Sequence, residues 1–97
     1  MKVVTICGSM RYAKEMIKIS QTLETKLGYC VIQCVYELDP LVLENEKEMK
    51  NIVDAHYKKI DISDAIYVLN IDGYIGQSTK NEIEYAKKHG KEIIYHV

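Results

Sequence analysis

Ala65-Ile66-Tyr67-Val68-Leu69-Asn70-Ile71-Asp72-Gly73-Tyr74-Ile75-Gly76-Gln77-Ser78-Thr79-Lys80-Asn81-Glu82-Ile83-Glu84-Tyr85-Ala86 is the stretch whose reading decides the fold. It opens on an apolar run, residues 65–69, too short for a helix and bounded by polar residues, which reads as a strand buried on both faces. A loop with two glycines follows, Gly73 and Gly76, and then an amphipathic segment, residues 79–89, with Gly90 as its stop. Strand, loop and helix N-terminus in that order form a place where anions settle, because the first N–H groups of a helix lack intrahelical partners and carry partial positive charge.

Working outward, residues 3–7 (Val-Val-Thr-Ile-Cys) form a β-branched run that stops at Gly8-Ser9. Residues 10–27 place Met16, Ile19, Leu23 and Leu27 at helical spacing, and Gly28 ends that helix. Residues 29–36 read as a second strand, Pro40 marks a loop, and residues 44–60 form a second helix with Met49, Ile52, Val53, His56 and Ile60 on one stripe. Residues 92–97 close the chain as a fourth strand.

Strands alternating with helices of this length imply right-handed βαβ crossovers. The expected fold class is α/β: a flavodoxin-like or Rossmann-like three-layer sandwich with a four-stranded parallel sheet of order 2-1-3-4. In such a sheet, ligands bind outside the carboxyl ends of the strands, where the strand order reverses. The expected crevice therefore lies between the loops at residues 8–11 and 70–78, the two most polar and glycine-bearing turns in the chain.

Composition narrows the function classes. The 97 residues suit one domain spanning 1–97, and 47% hydrophobic content argues against disorder. A net charge of −1 offers no broad basic field for nucleic acid and no polybasic membrane patch, so the expected partner is a small molecule. The amino terminus reaches glycine too soon for a signal peptide, which points to a cytoplasmic protein. Cys7, Cys30 and Cys34 form no C-x-x-C pair and read as free thiols acting as small core residues. His89 and His96 lack companions at ligand spacing, so neither a metal nor a cofactor is expected.

Individual residues carry competing readings. Gly8, Ser9, Met10 and Arg11 sit where a strand turns into a helix and could converge on a phosphate or carboxylate, or Ser9 could simply cap the helix. Glu82 could attack an electrophilic carbon such as an anomeric centre, whereas Thr79-x-x-Glu82 also has the form of a capping box. Asp72 could act as a general acid or hold a sugar hydroxyl, or belong to an Asp-Gly turn; Tyr74 could stack on a base or fold onto the domain. Gly76, Ser78 and Thr79 complete the candidate binding loop, while His56 on its apolar stripe reads as a core histidine. The eight tyrosines could partly cover a subunit interface.

Two segments, Ile6-Cys7-Gly8-Ser9-Met10-Arg11 and Ser78-Thr79-x-x-Glu82-x-x-Tyr85-Ala86, resemble the nucleoside 2-deoxyribosyltransferase-like superfamily, which includes 2′-deoxynucleoside 5′-phosphate N-hydrolases. The resemblance covers nearly the whole chain and implies that Glu82 corresponds to a nucleophile attacking C1′ of a 2-deoxyribosyl group. It implies equally that residues 8–11 hold the 5′ end of a nucleoside or nucleotide, with Arg11 suited to phosphate. Ser78 and Glu84 stand where the family usually has glycine, and His56 stands where family enzymes often carry aspartate. The chain is short for a transferase of this group, which implies a homodimer or higher oligomer that closes the crevice. A binding or sensing domain that keeps the crevice without turnover is the alternative.

Overall fold

The computed structural model describes residues 1–97. Four parallel strands, β1 (Val3–Cys7), β2 (Cys30–Ile32), β3 (Ala65–Val68) and β4 (Glu92–Tyr95), form one sheet of order β2-β1-β3-β4. Its helices are α1 (Ala13–Leu27), α2 (Pro40–Leu43), α3 (Glu46–Asp61) and α4 (Gln77–Lys88). The α/β class and strand order expected from the alternation of the sequence are those observed.

Alternation along the two central strands sorts the core into halves. Val4 and Ile6 of β1, with Ala65 and Tyr67 of β3, face Met16 and Leu23 of α1. Cys7 of β1, with Ile66 and Val68 of β3, faces Ile60 of α3 and Ile83 and Ala86 of α4. Both strands are therefore apolar throughout, because neither has a solvent face. Thr5, the polar exception in β1, is fully buried and bonded to the Lys59 carbonyl and the Ser63 hydroxyl at 3.0 and 2.6 Å.

Several boundaries differ from the sequence reading. The second strand is paired only over Cys30–Ile32, because it lies at the sheet edge; past it the chain leaves the ladder and the Gln33 carbonyl instead accepts from Lys59 Nζ at 3.1 Å. Pro40 opens the short helix α2, its missing N–H costing nothing at a first helical position, with Asp39 capping Leu41 N at 2.8 Å. A 3₁₀ turn at Met10–Tyr12 precedes α1, capped by Ser9 accepting from Arg11 N at 3.3 Å. The third long helix begins at Gln77 with Gly76 as its N-cap, so Thr79 lies inside the helix. The Thr79-x-x-Glu82 capping box does not form, and Glu82 sits one turn deeper than the sequence places it.

Candidate active site

The carboxyl ends of β1 and β3 open into a cleft of about 490 Å³. One wall comes from the β1 loop (Gly8, Ser9, Met10), one from Tyr74, Gly76 and the start of α4, and one from the apolar side of α3 with Val35 and Leu38 before it. Gly8 is packed closely: a Cβ there would stand 3.2 Å from Leu69 Cβ and 3.4 Å from Met16 Sδ. Because no side chain caps α4, the N–H groups of Gln77, Ser78 and Thr79 have no intrahelical acceptor, and all three residues line the cleft. Thr79 is 2% exposed, which places it in the cleft floor.

At the base of the cleft, His56 of α3 meets Glu82 of α4 with Nε2 3.2 Å from Oε1. Both side chains are only 15% exposed. The same Nε2 stands 3.6 Å from the Sγ of Cys7, the last residue of β1. Burial works against the charged imidazole, but the neighbouring Cys34 and the Glu82 carboxylate outweigh it and raise His56 to about 9. At neutral pH the ring is therefore an imidazolium, whose Nε2–H donates to the nearer acceptor, the Glu82 carboxylate. Burial, followed by the Glu82 charge, pushes the Cys7 thiol well above its ordinary value. The Cys7 Sγ, a His56 ring nitrogen and a Glu82 carboxylate oxygen lie within 4.8 Å of one another.

On the rim, the Arg11 guanidinium lies 4.2 Å from the Tyr74 ring centroid, and Tyr12 meets the same ring edge-on at 6.3 Å. The Tyr12 hydroxyl donates to the Ile71 carbonyl at 3.4 Å, so the β1 and β3 loops are tied together through aromatic contacts. Asp72 takes a left-handed conformation, with φ 53°, and lines a separate hollow with Glu15, Lys18, Asn70 and His96. The structure thus brings Gly8, Ser9, Met10, Tyr74, Gly76, Ser78, Thr79 and Glu82 to one cleft. Arg11 stacks on Tyr74 without lining the cleft, and Asp72 lines the other hollow.

A family model described as "Domain of unknown function (DUF4406)" matches residues 4–95. The chain belongs to this family. No curated protein matches the sequence. Among solved structures, a 2-deoxyribosyltransferase from Bacillus psychrosaccharolyticus is similar with a TM-score of 0.73 at 16% identity, covering 96% of this chain and 70% of the other. A CMP N-glycosidase of Clostridium botulinum is similar with a TM-score of 0.59 at 19% identity, covering 97% and 70%. This DUF4406 chain shares the fold of both.

Sequence reasoning passed over two residues of the cleft in this DUF4406 chain. His56 was expected in the core, on an apolar stripe, yet its ring reaches Glu82. The available signal was its place on the α3 stripe toward the carboxyl ends of the strands, which no spacing along the chain could connect to a glutamate on α4. Cys34, expected as a core residue, is half-buried in the cleft wall, and its thiol donates to the Ile6 carbonyl at 3.2 Å.

Proposed function

We propose that this protein breaks or exchanges the N-glycosidic bond of a deoxynucleoside or deoxynucleoside 5′-monophosphate, with Glu82 as nucleophile. The observation that supports this most is a largely desolvated carboxylate, 15% exposed, at the base of a nucleoside-sized cleft at the switch point of a parallel sheet. A Glu82 oxygen attacks C1′ as the bond from C1′ to the base nitrogen breaks; the electron pair leaves with the base, which takes up a proton. Water or a second base then displaces Glu82 from the sugar and regenerates the carboxylate. The likeness to a deoxyribosyltransferase and to an N-glycosidase favours the same class of reaction.

Each wall of the cleft has a part in this reading. The apolar side of α3, with Met49, Ile52 and Val53, gives the base a dry face. The free N–H groups of Gln77, Ser78 and Thr79 and the Ser9 hydroxyl suit sugar hydroxyls or a 5′-phosphate, and Tyr74 with Met10 forms the mouth. Arg11, stacked on the Tyr74 ring at the rim, keeps its in-plane N–H groups available to a phosphate. Asp72 has no step in this scheme, since it lines the opposite hollow. A second copy of the chain closing the exposed mouth, where Met10 and Tyr74 are 47% and 39% exposed, completes the proposal.

The test is chromatographic. The protein is incubated with a panel of deoxynucleosides and their 5′-monophosphates, with and without an acceptor base, and free or exchanged base is measured alongside Glu82→Gln. Base release by the parent and none by the variant supports the reading and names the substrate. Ligands that raise the melting temperature while no base appears would instead make this a binding domain.

A further inference from the structure

The carboxylate of Glu82 does not stand alone: one of its oxygens is occupied by an imidazole from another helix, in a site where both side chains are largely removed from water. A nucleophilic carboxylate on a glutamate side chain has three rotatable bonds, and an attacking oxygen must be held within a few tenths of an ångström of its productive position. Nothing on α4 supplies that hold. The capping bond that would fix Glu82 to its own helix is absent, because the helix starts at Gln77.

We propose that His56 is the positioning residue of the glycosidic reaction, its Nε2–H holding Glu82 Oε1 so that the second carboxylate oxygen is presented to C1′. The inference rests on the proposed role of Glu82 and adds to that site a second residue, from a different helix. An imidazolium attracts the Glu82 carboxylate and fixes it.

The surroundings of His56 suit this task. Cys7 approaches from the end of β1, Cys34 from the segment after β2, Glu82 from α4, and Tyr57 and Lys59 from α3 itself. Lys59 is turned away, its Nζ donating to the Gln33 carbonyl at 3.1 Å. Cys7 is a buried thiol with its sulfur 3.6 Å away and the Cys34 thiol donates to the Ile6 carbonyl, so the Glu82 carboxylate is the acceptor to which the ring donates. The raised affinity of His56 for its proton, to about 9, means that the holding cation persists through the physiological range and is lost on its alkaline side.

Two variants and one titration decide the matter. His56→Ala removes the hold and is expected to lower kcat about 100-fold with KM changed less than threefold, while His56→Gln, which keeps an N–H near the Nε2 position, restores at least tenfold of that loss. The parent kcat is expected to fall as pH rises through about 9, and neither variant should show that alkaline limb. A merely structural histidine would lower stability without moving the limb. In parallel, the His56 ring proton is followed by NMR: its midpoint should lie near 9 in the parent and drop by at least one pH unit in Glu82→Gln. An unchanged kcat in His56→Ala, an alkaline limb that survives both substitutions, or a midpoint indifferent to Glu82→Gln overturns the proposal. Turnover that persists in Glu82→Gln defeats the nucleophile assignment itself, whereas a silent Glu82→Gln beside a fully active His56→Ala defeats only the role of His56. If the parent releases no base, the glycosidic reading fails together with this role, and the NMR midpoint then reports only whether the pair exists.

Discussion

Two hollows flank the carboxyl end of β3: the cleft holds one acidic side chain, Glu82, and His56, while the other holds two, Glu15 and Asp72, and His96. In the cleft, Glu82 and His56 come from two helices, are 15% exposed, and bond to each other at 3.2 Å. In the other hollow, Asp72 sits exposed on a left-handed turn, and His96 spends its Nδ1 on the Tyr67 hydroxyl at 2.7 Å. Both pair an acidic side chain with a histidine nearby, but desolvation and coupling differ. A charge removed from water and paired has its field intact and its geometry set, while an exposed carboxylate on a turn is screened and free to rotate. The difference teaches that desolvation and charge pairing are concentrated where the helices converge, and that the glycine loop chiefly shapes the rim.

The sharpest way to break that contrast is Glu82→Gln against Asp72→Asn. Base release is expected to fall by at least about 10³-fold in the first. In the second, turnover should stay within about twofold and stability within about 0.5 kcal/mol. Equal losses in the two would erase the distinction between the hollows.

The shared floor should respond next. Ile66, fully buried beneath the cleft, packs with Ile60 and Ile83, and Ile66→Ala is expected to cost about 2–5 kcal/mol in denaturant unfolding. A loss well below that range would mean that the cleft-side core collapses around the gap.

Stability should also record the pair. The folded His56 binds its proton more tightly than the unfolded chain, so the stabilisation is complete below pH 6.5 and is lost as pH rises through about 9. Melting temperature measured across this window should decline in the parent and decline less in His56→Gln; parallel curves would show that the pair contributes nothing to folding. The smallest effect belongs to the rim: Arg11→Ala removes a cation–π contact with Tyr74 and should cost under about 1 kcal/mol, read as a small melting shift.

The fold was legible because its signals are local. Apolar runs at residues 3–7 and 65–69 and helical stripes ending at Gly28 and Gly90 each announce an element without help from distant residues. The edge was less legible: the apolar run 29–36 reads as strand to its end, yet only Cys30–Ile32 pair, since a sheet edge offers hydrogen-bond partners on one side alone. The start of α4 was misplaced for a related reason. Thr79 and Glu82 have the spacing of a capping box, but Gly76 already turns the chain into the helix, and Glu82 finds a stronger partner across the cleft.

By itself, then, the amino-acid sequence determined the alternation of strands and helices, the strand order that follows from right-handed crossovers, and the pair of loops that meet at the switch point. Only the tertiary structure decided that His56 and Glu82, 26 residues apart, share a proton-bearing bond, and that Asp72, close to Glu82 along the chain, lines a different hollow. The reason is physical: backbone preference and apolar periodicity act between neighbours along the chain, whereas desolvation and charge pairing depend on which surfaces the completed sheet brings together.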